Sequence, residues 1–333
     1  MEAASPPVTP LVRPEIPGYV LMPALAQQMG LDTIGTFHER RGDQALLDGH
    51  GVPGSAWVRA LGDGRDQRWR SSITGIGYPL SPRISSTMWG VQVGSDVYSH
   101  HDDRGNDDRA GLFYAHTETH GTVYGNTLAI VGNRSGNLDL QGDSLGFYWT
   151  HVGANRWYLD TVAMYTRLKG NAESDLGAGA GTDGNAFAAS LESGIPFRLD
   201  DSWTLEPQAQ IVWQHINFDD TGDPYSSIDY RNFDAFTGRV GLRLENNTLV
   251  HGLPWQSFVS ADVWHNFAAT SNVGFDGTNL ATSLGNTSLQ LRGGVTTKWT
   301  KHIATYLSVS YVTKLGGRTD HGVGGMGGVR IRW

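Results

Sequence analysis

The sequence predicts an all-β fold: a 12-stranded antiparallel transmembrane β-barrel with an N-terminal α-helix inside its lumen. Three observations lead there. From Ser55 onward apolar and polar residues alternate with a period of two, so each strand carries one greasy and one wet face. The chain ends in Val329-Arg330-Ile331-Arg332-Trp333, an alternation that runs into a terminal aromatic, like the last strand of a bacterial outer-membrane barrel. There Val329, Ile331 and Trp333 would face lipid, and Arg330 and Arg332 a wet interior. Composition is the third: 17% charged and 39% hydrophobic residues, 44 glycines, 11 tryptophans, 12 tyrosines and a mean hydropathy of −0.33. A polar-lumen barrel needs small residues, interfacial aromatics and few formal charges. No apolar stretch approaches the roughly 18 residues of a membrane helix.

Taken in order, the first 16 residues are Pro-rich (Pro6, Pro7, Pro10, Pro14), so residues 1–18 read as an extended linker. The segment 19–54 holds a helix at about 24–41. Pro23 suits its first turn, and Ala24 to Arg41 is rich in good helix formers, Leu25, Met29, Glu39, Arg40 and Arg41 among them. At roughly 1.5 Å per residue it would be about 27 Å long, near the height of an outer-membrane barrel. Residues 55–333 then form the barrel. Twelve strands lie near 55–67, 84–98, 108–121, 137–152, 155–170, 184–198, 202–217, 233–246, 255–268, 287–299, 302–315 and 321–333. In the seventh, Trp203, Leu205, Ala209, Ile211 and Trp213 alternate with Thr204, Glu206, Gln208, Gln210 and Gln214. The tenth alternates Leu289, Leu291 and Val295 with Gln290, Arg292 and Thr296. Connections at 153–155, 198–202 and 299–302 are tight; those at 170–184, 217–233 and 268–287 are long and polar. Short turns on one side and long loops on the other fit a barrel, and an even strand count puts both barrel ends on the same side. The helix then precedes strand one, placed to enter the lumen.

Arg59, Gln92, Asp96, Glu192, Glu206, Gln208, Arg239, Arg243 and Arg292 all fall on polar strand faces. An Arg facing lipid near the midplane would cost about 2–4 kcal/mol. Facing inward, these groups can pair with one another and with Glu39, Arg40 and Arg41. They either hold the helix and hydrate the pore, or simply wet the lumen.

Chemistry finds little purchase. With no cysteine, disulfides and thiolate metal sites are excluded, and the net charge of −8 argues against nucleic acid. Gly142-Asp143-Ser144-Leu145-Gly146 fits G-x-S-x-G, but that motif needs a strand-to-helix turn, and here it runs into Phe147-Tyr148-Trp149. Gly322-Val323-Gly324-Gly325-Met326-Gly327 fits G-x-G-x-x-G without the flanking strand and helix; its glycines read as lumen space beside the helix or strand one. His100-His101-Asp102-Asp103 reads as a solvated turn rather than a metal site. We therefore assign no catalytic, cofactor-binding or metal-ligating residue, and no cofactor. Met1 to Val12 lacks a signal-peptide pattern, so the chain reads as the C-terminal part of a longer precursor, or a piece cut for expression.

Several segments together resemble the translocator domain of monomeric, pertactin-like autotransporters. They are Arg13-Pro14-Glu15-Ile16-Pro17, Leu31 to Arg41, Ala56-Trp57-Val58-Arg59, Gly90-Val91-Gln92-Val93-Gly94-Ser95-Asp96, Ser190 to Phe197, Leu205 to Gln210, Gly238 to Leu244 and the terminal Trp333. The resemblance covers residues 13–333. It implies an outer-membrane barrel of a Gram-negative bacterium that lets its own N-terminal passenger reach the cell surface, the linker helix plugging the pore afterwards. It also implies barrel-assembly machinery and periplasmic chaperones as partners beside outer-membrane lipid, with Val329, Ile331 and Trp333 as the assembly signal. Some relatives release the passenger by cyclisation of a helix asparagine; the first asparagine here is Asn106, so this linker cannot do so. The competing expectations are an outer-membrane hydrolase, using Ser144 with His151 or His116, and a passive porin.

Overall fold

A computed structural model describes residues 11–42, 55–75, 77–267, 270–316 and 320–333. Twelve strands form the barrel: β1 Ser55–Arg68, β2 Arg83–His101, β3 Asp107–Thr127, β4 Ile130–Val152, β5 Tyr158–Ser174, β6 Gly179–Gly194, β7 Trp203–Phe218, β8 Phe233–Val250, β9 Leu253–Asn266, β10 Asn286–Lys298, β11 Ile303–Lys314 and β12 His321–Arg332. Each pairs antiparallel with its sequence neighbour, and β12 pairs with β1 from Ser55↔Arg332 to Asp66↔His321, so the sheet closes. Closure leaves no barrel edge with unpaired backbone groups, which is what lets a sheet sit in lipid. The predicted all-β, twelve-stranded antiparallel barrel with an N-terminal helix is the observed fold. The end at which β1 starts and β12 finishes is called the base below; the opposite end is the mouth.

Alternation sorts the faces as the pleat requires. Val91, Val93, Leu145, Ile211, Val240, Leu291, Leu307 and Ile331 are exposed on the outside, whereas Arg59, Gln92, Glu192 and Arg239 are buried inside.

The helix differs from the sequence expectation. It begins at Ile16, not near residue 24, and stops at Ile34; Gly35 and Thr36 break it, and a short second helix follows. These are α1 (Ile16–Ile34) and α2 (Phe37–Arg41). Pro17, not Pro23, occupies the first turn, and Pro23 lies inside α1. An internal proline forfeits one backbone bond, but Pro23 and its helix neighbours are buried, and packing outweighs propensity. The linker boundary at residue 18 moves accordingly; residues 1–10 and 43–54 lie outside the described residues.

Two of the expected connections also change. The supposed long loop at 170–184 is a turn at 175–178, because β5 and β6 stay paired up to Glu173↔Gly179. The hairpin β3–β4 likewise continues to a two-residue turn whose Leu128 and Ala129 both have positive φ, at 52° and 58°. Such turns usually carry Asn or Gly; here the exiting chain holds this one, Leu128 N–H donating to Val12 O at 2.9 Å.

The connections after β1, β7 and β9 are not irregular. They contribute a second, five-stranded sheet in the order Thr221–Gly222, Ser227–Arg231, Thr270–Phe275, Thr278–Ser283, Arg70–Ile73. Its Ile228, Tyr230, Val273, Phe275 and Leu280 turn down into the mouth. There they meet Tyr19, Val20, Leu21 and Met22 of α1 and wall residues such as Ile84, Leu138, Leu140, Leu168 and Ile216. The mouth half of the lumen is thus a packed apolar core, not the hydrated pore the sequence suggested.

Candidate functional site: the occupied lumen

The base half of the lumen carries the charge. The break at Gly35 leaves the last carbonyls of α1 without helical partners. The wall supplies them: Arg59 Nη2 donates to Thr33 O at 2.7 Å, Gln92 Nε2 to the same oxygen at 3.3 Å, and Gln210 Nε2 to Gly35 O at 3.0 Å. A guanidinium at this end also suits the negative pole of the helix. Gly35 has φ +59°, and a Cβ there would lie 2.8 Å from Glu39 Oε2 and 2.9 Å from Arg59 Nη1.

Helix α2 starts with a capping box in which Thr36 Oγ1 accepts from Glu39 N–H and Glu39 Oε2 accepts from Thr36 N–H. Residues Phe37 to Arg40 then reach four strands, β5, β6, β7 and β10. Phe37 N–H donates to Glu192 Oε2 at 2.9 Å while its ring stacks on Tyr158 with centroids 4.3 Å apart. His38 Nε2 meets Glu206 Oε1 at 2.8 Å, Glu39 pairs with Arg292 at 2.8 Å, and Arg40 pairs with Asp160. Arg41 closes α2, and its side chain lies outside what is described. Behind this shell, Arg239 bridges Glu192 at 2.9 Å and Asp262 at 2.6 Å, and takes Gln208 and Gln210 as further acceptors.

The candidate residues therefore divide. Arg59, Gln92, Glu192, Glu206 and Arg292 touch the helices directly; Gln208 and Arg239 stand behind them. Arg243 serves the wall, pairing with Glu245 and lying over the Phe258 ring. Asp96 accepts from Ser55 and Tyr148, each at 2.6 Å, and faces Arg330 at 3.7 Å across the β12–β1–β2 seam. Leu25 and Met29 are buried on α1, and Met29 fits over Gly142, where a Cβ would lie 2.8 Å from its sulfur. Ile331 on β12 and Trp333 just after it are exposed, with Val329 half-buried on the outer face of β12. The sequence reading missed Asp160, Asp262, Tyr158 and Gln210 as partners. Their inward phase was the available signal, but β5 alternates Asp160 with Leu159 and Thr161, too mixed a pair of faces to assign.

His38, Glu206 and Glu245 form, among the described residues, the group with metal-ligand character, their ligand atoms within 4.8 Å of one another. Both carboxylates already have partners in the wall: Glu206 accepts from Gln208, and Glu245 from Arg243 and Gln256.

The mouth has its own fastening. Arg13 reaches Asp223 Oδ2 at 3.1 Å and Ser226 Oγ at 2.7 Å, and Tyr19 OH donates to Asp223 at 3.2 Å. Burial works against the Asp223 carboxylate, but the N–H groups of Tyr225 and Ser226, with Arg13, hold its pKa below the ordinary value.

Helix α1 leans on β2 to β7. On the opposite flank a polar cavity of ≈ 140 Å³ remains, lined by Asp32, Asp63, Arg65, Gln290, Ser308 and Gly324 among others. Arg65 ties its two acids together, at 2.7 Å from Asp32 and 3.0 Å from Asp63. The glycines of the G-x-G-x-x-G run lie in β12, and Gly322 and Gly324 border this space.

The candidate hydrolytic set of Ser144, His116 and His151 is not assembled. Ser144 is buried on the inner face of β4, 2.8 Å from Thr166 Oγ1. His116 and His151 point outward and bind Asp143 and Asp108. Strand pleating puts them on opposite faces of the sheet from Ser144. At the 100–103 run, Asp102 accepts from the N–H groups of Arg104 and Asn106 and so closes its own turn.

The family description "Autotransporter beta-domain" matches residues 56–310. The chain is 26% identical to the adhesin BmaC autotransporter of Brucella suis biovar 1 (strain 1330) over 98% of its own length, and spans 10% of the length of that relative. It is similar in fold to the transport unit of the autotransporter AIDA-I from Escherichia coli, with a TM-score of 0.78 and 17% identity over 96% of this chain and 99% of that one. The β-domain of the Bordetella autotransporter BrkA gives 0.61 and 22% over 84% and 98%.

Proposed function

As the chain belongs to the autotransporter β-domain family, we propose that its lumen is the route by which an upstream passenger reaches the cell surface, and that α1 and α2 close that route afterwards. The domain is a translocator barrel of the Gram-negative outer membrane. Its mouth then faces the cell exterior and its base the periplasm. The single observation that carries the plug reading is the path of the linker. It enters at the mouth beside Asp223, descends as α1 and ends at the base as α2, held there by Arg59, Glu192, Asp160 and Arg292. A passenger attached ahead of Leu11 would already be outside.

On this reading the lumen-facing groups position the helix rather than perform chemistry, and the domain is not itself an enzyme. Outward-facing Val329, Ile331 and Trp333 would be what the barrel-assembly machinery reads, with periplasmic chaperones protecting the strands before insertion.

The test is single-channel recording in planar bilayers. The full chain should conduct weakly. A variant lacking residues 1–50 should conduct severalfold more, through a lumen stripped of both helices. Equal conductance would remove the plug reading.

A further inference from the structure

The barrel wall is much taller on one side. Strands β3 and β4 run for 21 and 23 residues, against 12 each for β11 and β12. Outward residues on the tall side follow the strand register in rows. One row, Val93, Tyr114, Leu145, Tyr165 and Phe187, is exposed, apolar and aromatic, as the top of a lipid belt should be. Two rows nearer the mouth the same outer face reads Trp89, Glu118, Gln141, Lys169 and Asp183. Two rows is about 14 Å along a strand at roughly 3.4 Å per residue, about 10 Å above the belt once strand tilt is allowed for.

This upper face is not flat. It holds a hollow of ≈ 620 Å³ on the outside of the barrel, with Trp89, Glu118, Asp139, Lys169 and Asp183 around it and the side-chain-free Gly181 in its lining. Trp89 is 48% exposed, with the His116 ring tilted against it, centroids 5.6 Å apart. His120 bonds Asp139, whereas Lys169 and Asp183, opposite each other in register, form no ion pair among the described residues. The interior plays no part here, since all of these side chains project away from the lumen.

We propose that this hollow seats the sugar headgroup of a glycolipid in the outer leaflet. The chemistry fits hydroxyl-rich rings. Glu118, Asp139 and Asp183 can accept from sugar hydroxyls, Gln141 and Lys169 can donate, and Trp89 offers a flat surface to the C–H side of a ring. Three carboxylates around one lysine disfavour a bare phosphate headgroup, which would meet more repulsion than attraction. Position selects a lipid-linked sugar over a free one. One mixed row, Val91, His116, Asp143 and Arg167, separates the hollow from the lipid-contacting surface, so a glycolipid whose acyl chains lie against Leu145 and Tyr165 would bring its sugar past that row to this height.

The experiment places the full chain in nanodiscs of phospholipid alone or of phospholipid with a neutral glycolipid, a diacylglycerol bearing uncharged hexoses. Retained glycolipid is counted by native mass spectrometry after detergent exchange. A second arm offers the same uncharged hexose oligosaccharide, soluble and without its acyl chains. Wild type should retain glycolipid, and Trp89→Ala or the double change Asp139→Asn, Asp183→Asn should retain at least about tenfold less, a difference of about 1.4 kcal/mol. All three positions face outward, and heat-modifiable gel mobility checks that each variant is a closed barrel. Equal retention by wild type and both variants overturns the proposal. So does tight binding of the soluble oligosaccharide with no enrichment of the glycolipid, which would make the hollow a receptor for free glycans.

Discussion

Arg239 is fully buried with Glu192 on one side and Asp262 on the other, and each carboxylate depends on it for its counter-charge. Removing one member of a buried ionic group strands the rest, at a cost of about 3–5 kcal/mol. Arg239→Met should therefore lower the unfolding midpoint of the detergent-solubilised barrel sharply, read by heat-modifiable gel mobility. The triple change Arg239→Met, Glu192→Gln, Asp262→Asn should recover most of the loss, because no lone charge remains. A second residue-scale prediction concerns Asp223. Its depressed pKa means the folded state binds its proton less readily than the unfolded chain. Its stabilising contribution is then present above the ordinary Asp value of about 3.9 and lost as pH falls through the lower, folded value. A quencher-accessible fluorophore at residue 11 should become more accessible on acidification through that range, and Asp223→Asn should flatten the response. A wild-type signal that ignores pH would show that the Arg13–Asp223 contact does not hold the exit.

At the scale of elements, the joint between α1 and α2 is the sensitive point. Gly35 has the backbone geometry that essentially only glycine adopts, and it sits against both Glu39 and Arg59. Gly35→Ala should cost about 1–3 kcal/mol from strain alone, loosening α2 and raising the conductance of the full chain toward that of the helix-less barrel. The strands were legible in the sequence because a period of two is local: Leu291 and Arg292 declare their faces without reference to anything else. The helix was legible in kind but not in extent. Its true start depends on Pro17 rather than Pro23, and its tolerance of an internal proline comes from walls hundreds of residues away. The mouth sheet was illegible for the same reason. Val273 and Ile228 look like isolated apolar residues in Gly- and Asp-rich connections until Tyr230 pairs with Val273 and both turn inward. Of the candidate site, the inward set could be listed, but not its partition between residues that grip the helix and residues such as Asp96 that bind the seam. Several inward positions on different strands are equally polar, and only register decides which lie level with α2.

Taken as a whole, the molecule is lopsided in two directions. Across the membrane, the lumen changes from hydrocarbon-like at the mouth to ionic at the base. Around the axis, the helix crowds β2 to β7 and leaves water-sized polar space beside β9 to β12. Both edges of the sheet over the mouth are partly covered: Thr221 Oγ1 donates to Gly181 O on β6, and at the other end Leu80 N–H donates to Ser71 O and Ile73 N–H to Tyr78 O. Among the described residues an emerging polypeptide thus finds little unpaired edge to add to there.

The change of character along the lumen gives the linker a single resting height. Sliding it by one helical turn, about 5.4 Å, would carry Tyr19 to Met22 out of their greasy collar and drag Phe37 to Arg40 off their ionic partners together. A cylinder coated at one end with oil and at the other with charge, in a bore coated to match, behaves as a keyed bolt: it stops at one depth, and it cannot be inserted the other way round.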